Sequence, residues 1–359
     1  MTRNRISLLL AAGLWLAAVP AAWAIDQVHV VPKEGSKDKE LITGRIRSLS
    51  PDEVVIEQRG VGVPVAVNEI RFIQFEDEPR ELGDARRRMR DGDYREALDI
   101  LERIQADDVK RPEAKTEVQY TVMYCRGQLA LGGGLAAADG KNPLVETGKE
   151  LIKFLTDNPR TYHFYEANEL VGNLLVANGN YSPAAAYYAA MKQAKWADYK
   201  LRATVAMGRA LLAQGRTPDA AKAFDEAISD PDPGELAEAQ KQLAKIGKAR
   251  CQASSGRPDD AVKAIQEIIA NADSANSDLN AQAYNALGAA LRIAKKPKEA
   301  VLAFLHTDLL YYKSPDTHAE ALANLAALFD ELHKPKHAQG VRETLKRQYG
   351  ASRWAQQAR

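Results

Sequence analysis

Two hydrophobic periods divide the chain. From Ile25 to Pro79 apolar and polar positions alternate in short runs: Gln27-Val28-His29-Val30-Val31, Leu41 to Ile46, Val54-Val55-Ile56-Glu57, Val63 to Val67 and Ile70 to Phe75. Turn signals separate them at Glu34-Gly35-Ser36, Ser50-Pro51-Asp52 and Arg59-Gly60-Val61-Gly62. Period two with β-branched and aromatic residues predicts four or five strands, enough for a small, strongly bent sheet that curls into a partial β-barrel. After Glu78-Pro79 the period becomes 3.6 and alanine becomes frequent, which predicts helices from Arg80 to about Tyr349. Within that stretch one phrase recurs, in which a small residue is followed seven positions on by Gly, then by Ala and a bulky apolar residue. It reads Gly172, Gly179, Ala184 and Tyr188, then Gly208, Gly215, Ala220 and Phe224, and in related form Leu287-Gly288, Ala300 and Phe304. Turn positions align at 92, 179, 215, 256, 295 and 333, with spacings of 36, 41, 39 and 38 residues after 179. Repetition on this scale predicts about seven stacked helical hairpins. Gly127 to Pro143, with Gly132-Gly133-Gly134, reads as a looped insertion in the second pair.

The first 24 residues read as a targeting segment. Arg3 and Arg5 precede an apolar run from Ser7 to Val19, and Pro20 with Ala22-Trp23-Ala24 forms a small-residue cleavage site. The run is shorter than the roughly 20 residues a membrane span requires, so the expectation is cleavage after Ala24 and a periplasmic or secreted protein. No Cys stands at that point to carry a lipid. The formal net charge is +1, and removing the segment takes away only Arg3 and Arg5, leaving the chain near neutral. Such a chain has no bulk attraction for nucleic acid, and none for anionic membrane, which it would meet only through partners. The run Arg86-Arg87-Arg88-Met89-Arg90 faces nearby acids and reads as a solvated helix face. Cys125 and Cys251 stand 126 positions apart in apolar segments and read as buried, unpaired thiols.

The run Gly44-x-Ile46, Ser50-Pro51-Asp52-Glu53, Val54-Val55-Ile56 and Asn68-Glu69-Ile70-x-x-Ile73 resembles the Sm-like small barrels over about 50 residues. It lacks the basic surface with exposed aromatics of a single-strand reader, and Phe72 and Phe75 read as core. The helical stretch resembles the tetratricopeptide repeat family, most closely at Tyr284, Leu287, Gly288, Leu291, Ala300 and Phe304. That resemblance implies a right-handed α-solenoid whose first helices line a concave groove. Residues one and four positions after each small residue would then face a ligand. By this transfer Asn173, Arg209, Arg250, Arg292 and Asp330 become the candidate groove, and a peptide carrying carboxylates or a chain terminus is the ligand that recurring guanidinium groups would suit.

Catalytic chemistry is thinly represented. The six His belong to no HExxH, and no G-x-S-x-G occurs. His333 and His337 are separated by Lys334-Pro335-Lys336, which breaks a shared helix, and Gly132-Gly133-Gly134 lacks the strand and Lys-Ser/Thr of a phosphate cradle. No metal, cofactor or nucleic acid is expected. The sequence therefore predicts an α+β multidomain chain, mainly α: a targeting segment (1–24), a small β-barrel (25–79), a tetratricopeptide-like solenoid (80–350) and a tail (351–359). The expected role is a non-enzymatic scaffold or adaptor that holds a protein or peptide of the cell envelope. The alternatives are a polysaccharide-binding module, with Trp196, Tyr199 and Tyr311-Tyr312 as its only platforms, and an enzyme with its site between barrel and solenoid, where Glu76-Asp77-Glu78 lies.

Overall fold

The computed structural model describes residues 25–31, 41–105, 107–136 and 140–358. The expected targeting segment, the Glu34-Gly35-Ser36 turn and Ala137 to Asp139 lie outside the described residues. Five strands form where period two predicts them: β1 (Asp26–Val30), β2 (Leu41–Leu49), β3 (Glu53–Gln58), β4 (Val61–Ala66) and β5 (Ile70–Gln74). They make one antiparallel sheet in the order β4-β3-β2-β1-β5. The expected barrel is corrected here. Strands β4 and β5 are the two edges of the sheet and do not pair with each other, so it stays open. Pro64 supplies one reason, since a proline cannot donate to a further ladder and belongs on an edge.

The inner face of the sheet buries Val28, Val54, Ile56, Val65, Ile73 and Phe75 against Val109, Ala114 and Tyr162 of the helical region. Helices thus cover the face that closure would have hidden. Asp26, only 1% exposed, fastens the two parts together. It accepts hydrogen bonds from the backbone N–H of Ile46 (2.8 Å) and of Glu76 (2.9 Å), and its carboxylate pairs with Arg111 at 2.5 Å.

The helices pair in sequence order: α1 (Arg80–Asp91) with α2 (Tyr94–Leu101), α3 (Pro112–Gly132) with α4 (Pro143–Asp157), α5 (Phe164–Ala177) with α6 (Tyr181–Met191), α7 (Ala197–Ala213) with α8 (Thr217–Ile228), α9 (Glu235–Ser254) with α10 (Pro258–Asn271), α11 (Ser277–Ile293) with α12 (Pro297–Leu310), and α13 (Pro315–Glu331) with α14 (Pro335–Tyr349). A short α15 (Arg353–Gln357) follows, capped by the Ser352 hydroxyl. All six aligned turn positions adopt the left-handed conformation, including the two without Gly, Lys295 (φ 63°) and His333 (φ 55°). The recurrent small residues sit under the aromatic of the partner helix. A Cβ on Gly208 or Gly247 would come within 2.6 or 2.4 Å of the Phe224 ring, and one on Gly288 within 2.5 Å of Phe304. Close crossing therefore requires glycine there.

The looped insertion is also corrected. Gly127 lies within α3, against Leu170, and the helix runs on to Gly132. The glycine run that follows is a packing seam. A Cβ on Gly132 would stand 2.4 Å from Pro315, and one on Gly133 would overlap the backbone of Ser352. Across this seam α3 packs on α13, the N–H of Ala351 donates to the Gly133 carbonyl (3.0 Å), and Lys313 Nζ donates to the Arg90 carbonyl (3.0 Å). The array of hairpins curls until its last member touches its first two, and residues 351–358, expected as a tail, complete the join.

Candidate functional site

Closure turns the expected open groove into a central cavity of about 720 Å³ walled by first helices, by Arg71 and Phe72 of the sheet, and by Arg353 and Trp354 of the last segment. A volume in this range suits a ligand of a few hundred daltons.

One wall holds a buried ionic cluster. Glu117 on α3, 4% exposed, pairs with Arg86 Nη2 (3.1 Å) and accepts from the Tyr162 hydroxyl (2.7 Å) and His163 Nε2 (2.8 Å). Burial opposes ionisation of this carboxyl, but His163, Arg86 and Tyr162 outweigh it and hold its pKa down to about 2. Burial alone would discharge His163, whereas Glu117 and then Glu166 overcome that and raise its pKa. The ring stacks on Tyr120 at 3.6 Å between centroids, and its Nδ1 faces Glu166 at 3.6 Å without a hydrogen bond. Arg86 also reaches Glu78 (2.5 Å) and the Ile73 carbonyl (2.7 Å). Arg86 is thus the buried link between sheet and solenoid, which corrects the reading of the arginine run as a solvated face. Arg87 and Arg88 do turn outward, to Asp84 and Glu96, but Arg90 lines the cavity.

Pairs continue around the wall. Arg202 meets Glu169 at 2.5 Å, Arg250 holds Glu320 through both its terminal nitrogens (3.1 and 3.3 Å), and Asp316 receives Arg353 (2.9 Å) and Trp354 Nε1 (2.8 Å). Where α7 faces α11, two groups stand out by what they lack. Arg209 has no acid within 4.0 Å among the described residues and contacts only Gln282, at 3.3 Å. Asp278 opens into the water of the cavity yet is surrounded by protein, and this desolvation raises its pKa against the pull of Arg209.

Of the sequence-predicted groove, Asn173, Arg209 and Arg250 line this cavity. Arg292 and Asp330 do not; they pair with Glu331 and Arg342 at the outer ends of α11 and α13. Glu166, Arg202, Gln282 and Glu320, which do line it, escaped the sequence reading. Each stands six positions before the small residue of its helix (Gly172, Gly208, Gly288 and Ala326), and a residue at −6 shares a face with one at +1 because seven positions make two turns. That recurrence of long polar residues was the available signal. Phe72, expected in the core, stacks on His29 (4.1 Å) at the cavity edge.

Cys125 and Cys251 are free and buried, and burial pushes their thiols up to about 12 and about 11. Among the described residues no group of three His, Cys, Asp or Glu could hold a metal, and no helix is long and apolar enough to cross a membrane.

A family model described as tetratricopeptide repeat matches residues 205–276 and 246–306, which span the second half of α7, all of α8 to α11 and most of α12. A Rap protein complexed with competence and sporulation factor shares the architecture, with a TM-score of 0.52 at 14% identity over 77% of this chain and 75% of that one. The helical region is a tetratricopeptide-like solenoid. RapI in its apo form matches with a TM-score of 0.41 at 12% identity, over 74% of this chain and 75% of that one. No curated protein matches the chain.

Proposed function

We propose that this protein is an exported, non-enzymatic scaffold whose solenoid holds a peptide or protein segment of the cell envelope in its central cavity. The observation that carries the reading is Arg209, a guanidinium facing a partly open, mostly paired cavity and without an ion-pair partner among the described residues. An Arg so placed is poised for a carboxylate supplied by a ligand, because its planar fork matches that group with two parallel hydrogen bonds. The tetratricopeptide-like architecture supports the reading, and the Rap protein of similar fold is itself complexed with a factor. The rigid wall of ion pairs adds preorganisation, which lowers the ordering cost of binding. Export rests on the charged and apolar start of the sequence.

The catalytic alternative has one observation on its side, since Glu117, His163 and Glu166 gather near the sheet. Their arrangement answers to an ion-pair role: both ring nitrogens face carboxylates, which raise the imidazole pKa, whereas a general base needs a ring nitrogen free to take a proton from a substrate. The test is recovery of partners from the exported fraction by intact protein and by Arg209→Glu, with Arg292→Glu as the control outside the cavity. Loss of at least about tenfold, the scale of a charge-assisted pair, is expected for Arg209→Glu alone. Unchanged recovery by a folded Arg209→Glu protein contradicts the cavity reading.

A further inference from the structure

The cavity edge beside the sheet carries a second cluster of charge, separate from Arg209. Arg71 stands on the edge strand β5 and Arg90 in the last turn of α1, and both line the cavity. Neither guanidinium meets an acid within 4.0 Å among the described residues. Next to Arg71 the sheet presents Phe72, with His29 stacked on the ring, and Arg86, one helical turn before Arg90 on α1, lies 5.3 Å from its centroid. Arg86 is engaged by Glu78 and Glu117, whereas Arg71 and Arg90, both exposed, have no ion-pair partner among the described residues. His29 registers the resulting field: burial first, then Arg86, Arg71 and Arg90, lower its pKa. Lys313 adds a further cation, its Nζ bound to the Arg90 carbonyl.

Like charges gathered without a counter-charge repel one another, and the repulsion is stronger beside low-dielectric protein than in open water. Among the described residues Arg86, Arg202, Arg250 and Arg353 of the cavity are each paired with an acid, so Arg71 and Arg90, like Arg209, mark a place for negative charge supplied from outside. Guanidinium groups suit a planar carboxylate or a phosphate, which they can grip through paired N–H donors.

We propose that Arg71 and Arg90 form an oxyanion subsite at the junction of sheet and solenoid, which seats a carboxylate or phosphate group of the ligand whose body occupies the cavity. The assignment rests on the cavity reading above, and its test separates the two. Full-length protein is titrated calorimetrically with inorganic phosphate and, separately, with succinate, in a low-salt buffer free of other oxyanions. The same titrations are run on Arg71→Gln/Arg90→Gln and on Arg209→Gln, each checked for native helicity. The expected result is binding by the intact protein that weakens by about tenfold or more in the double variant, the loss of a charge-assisted contact, and persists in Arg209→Gln. Response to phosphate alone identifies a phosphoryl group as the ligand's anchor, and response to both identifies a carboxylate. Absence of binding to the intact protein, or equal affinity in the double variant, overturns the subsite. Binding lost only with Arg209→Gln overturns it too, while leaving the cavity as the binding site.

Discussion

At the scale of single residues, the cluster around Glu117 decides how this molecule responds to pH. The Glu117 pKa is depressed, so its contribution to stability is present above the ordinary 4.5 and fades as pH falls toward about 2. The His163 pKa is raised, so its contribution is complete below the ordinary 6.5 and disappears as pH rises through the elevated value. The melting temperature of the intact protein should therefore exceed that of His163→Gln by a margin that is full below the ordinary 6.5 and shrinks as pH rises above it; a margin that stays constant on raising the pH contradicts the assignment. Glu117→Gln should cost about 3–5 kcal/mol in denaturant unfolding, because it leaves the buried Arg86 with Glu78 as its one carboxylate partner and removes the group that chiefly raises the His163 pKa. None of this cluster was legible in the sequence. Glu78, Arg86, Glu117 and His163 come from separate segments, and an arginine run next to acids looks the same whether its first member faces water or the core.

At the scale of elements, the recurrent phrase carried most of the information. The alignment of turns was legible because left-handed turn positions and small crossing residues obey local steric rules, visible even at Lys295 and His333. The contrast between two helical glycines tests the packing argument. Gly288→Ala would bring a methyl within 2.5 Å of the buried Phe304 ring, and such overpacking costs about 1–3 kcal/mol. Gly340, within α14, has nothing within 4 Å of its would-be Cβ, so Gly340→Ala should be neutral or stabilise by up to about 1 kcal/mol through helix propensity. Equal effects of the two substitutions on the unfolding midpoint would remove the steric account of the phrase. The second hairpin was misread for a physical reason. Gly132-Gly133-Gly134 has the composition of a flexible loop, and only the approach of Pro315 and Ser352, far later in the chain, gives those glycines their role.

At the scale of the whole molecule, closure of the array converts a surface into an interior. The groove face was identified from the repeat, and Asn173, Arg209 and Arg250 lie on it. Its extent was not, because the part of each first helix that meets the cavity shifts toward the N-terminal end from α5 to α13, past Arg292 and Asp330 to Gln282 and Glu320. That shift is a property of the superhelix, which no single hairpin encodes. The cavity, its paired wall and the unpaired Arg71, Arg90 and Arg209 depend on the seam between α3 and α13. The most direct test is a distance measured by electron double resonance between spin labels at Asp93→Cys and Tyr312→Cys, with the buried Cys125 and Cys251 left unlabelled. A closed array predicts one narrow population at the separation of touching segments. An open file of hairpins, each step adding about 10 Å, would place the labels about 50 Å apart, and a dominant population at that distance would contradict the account.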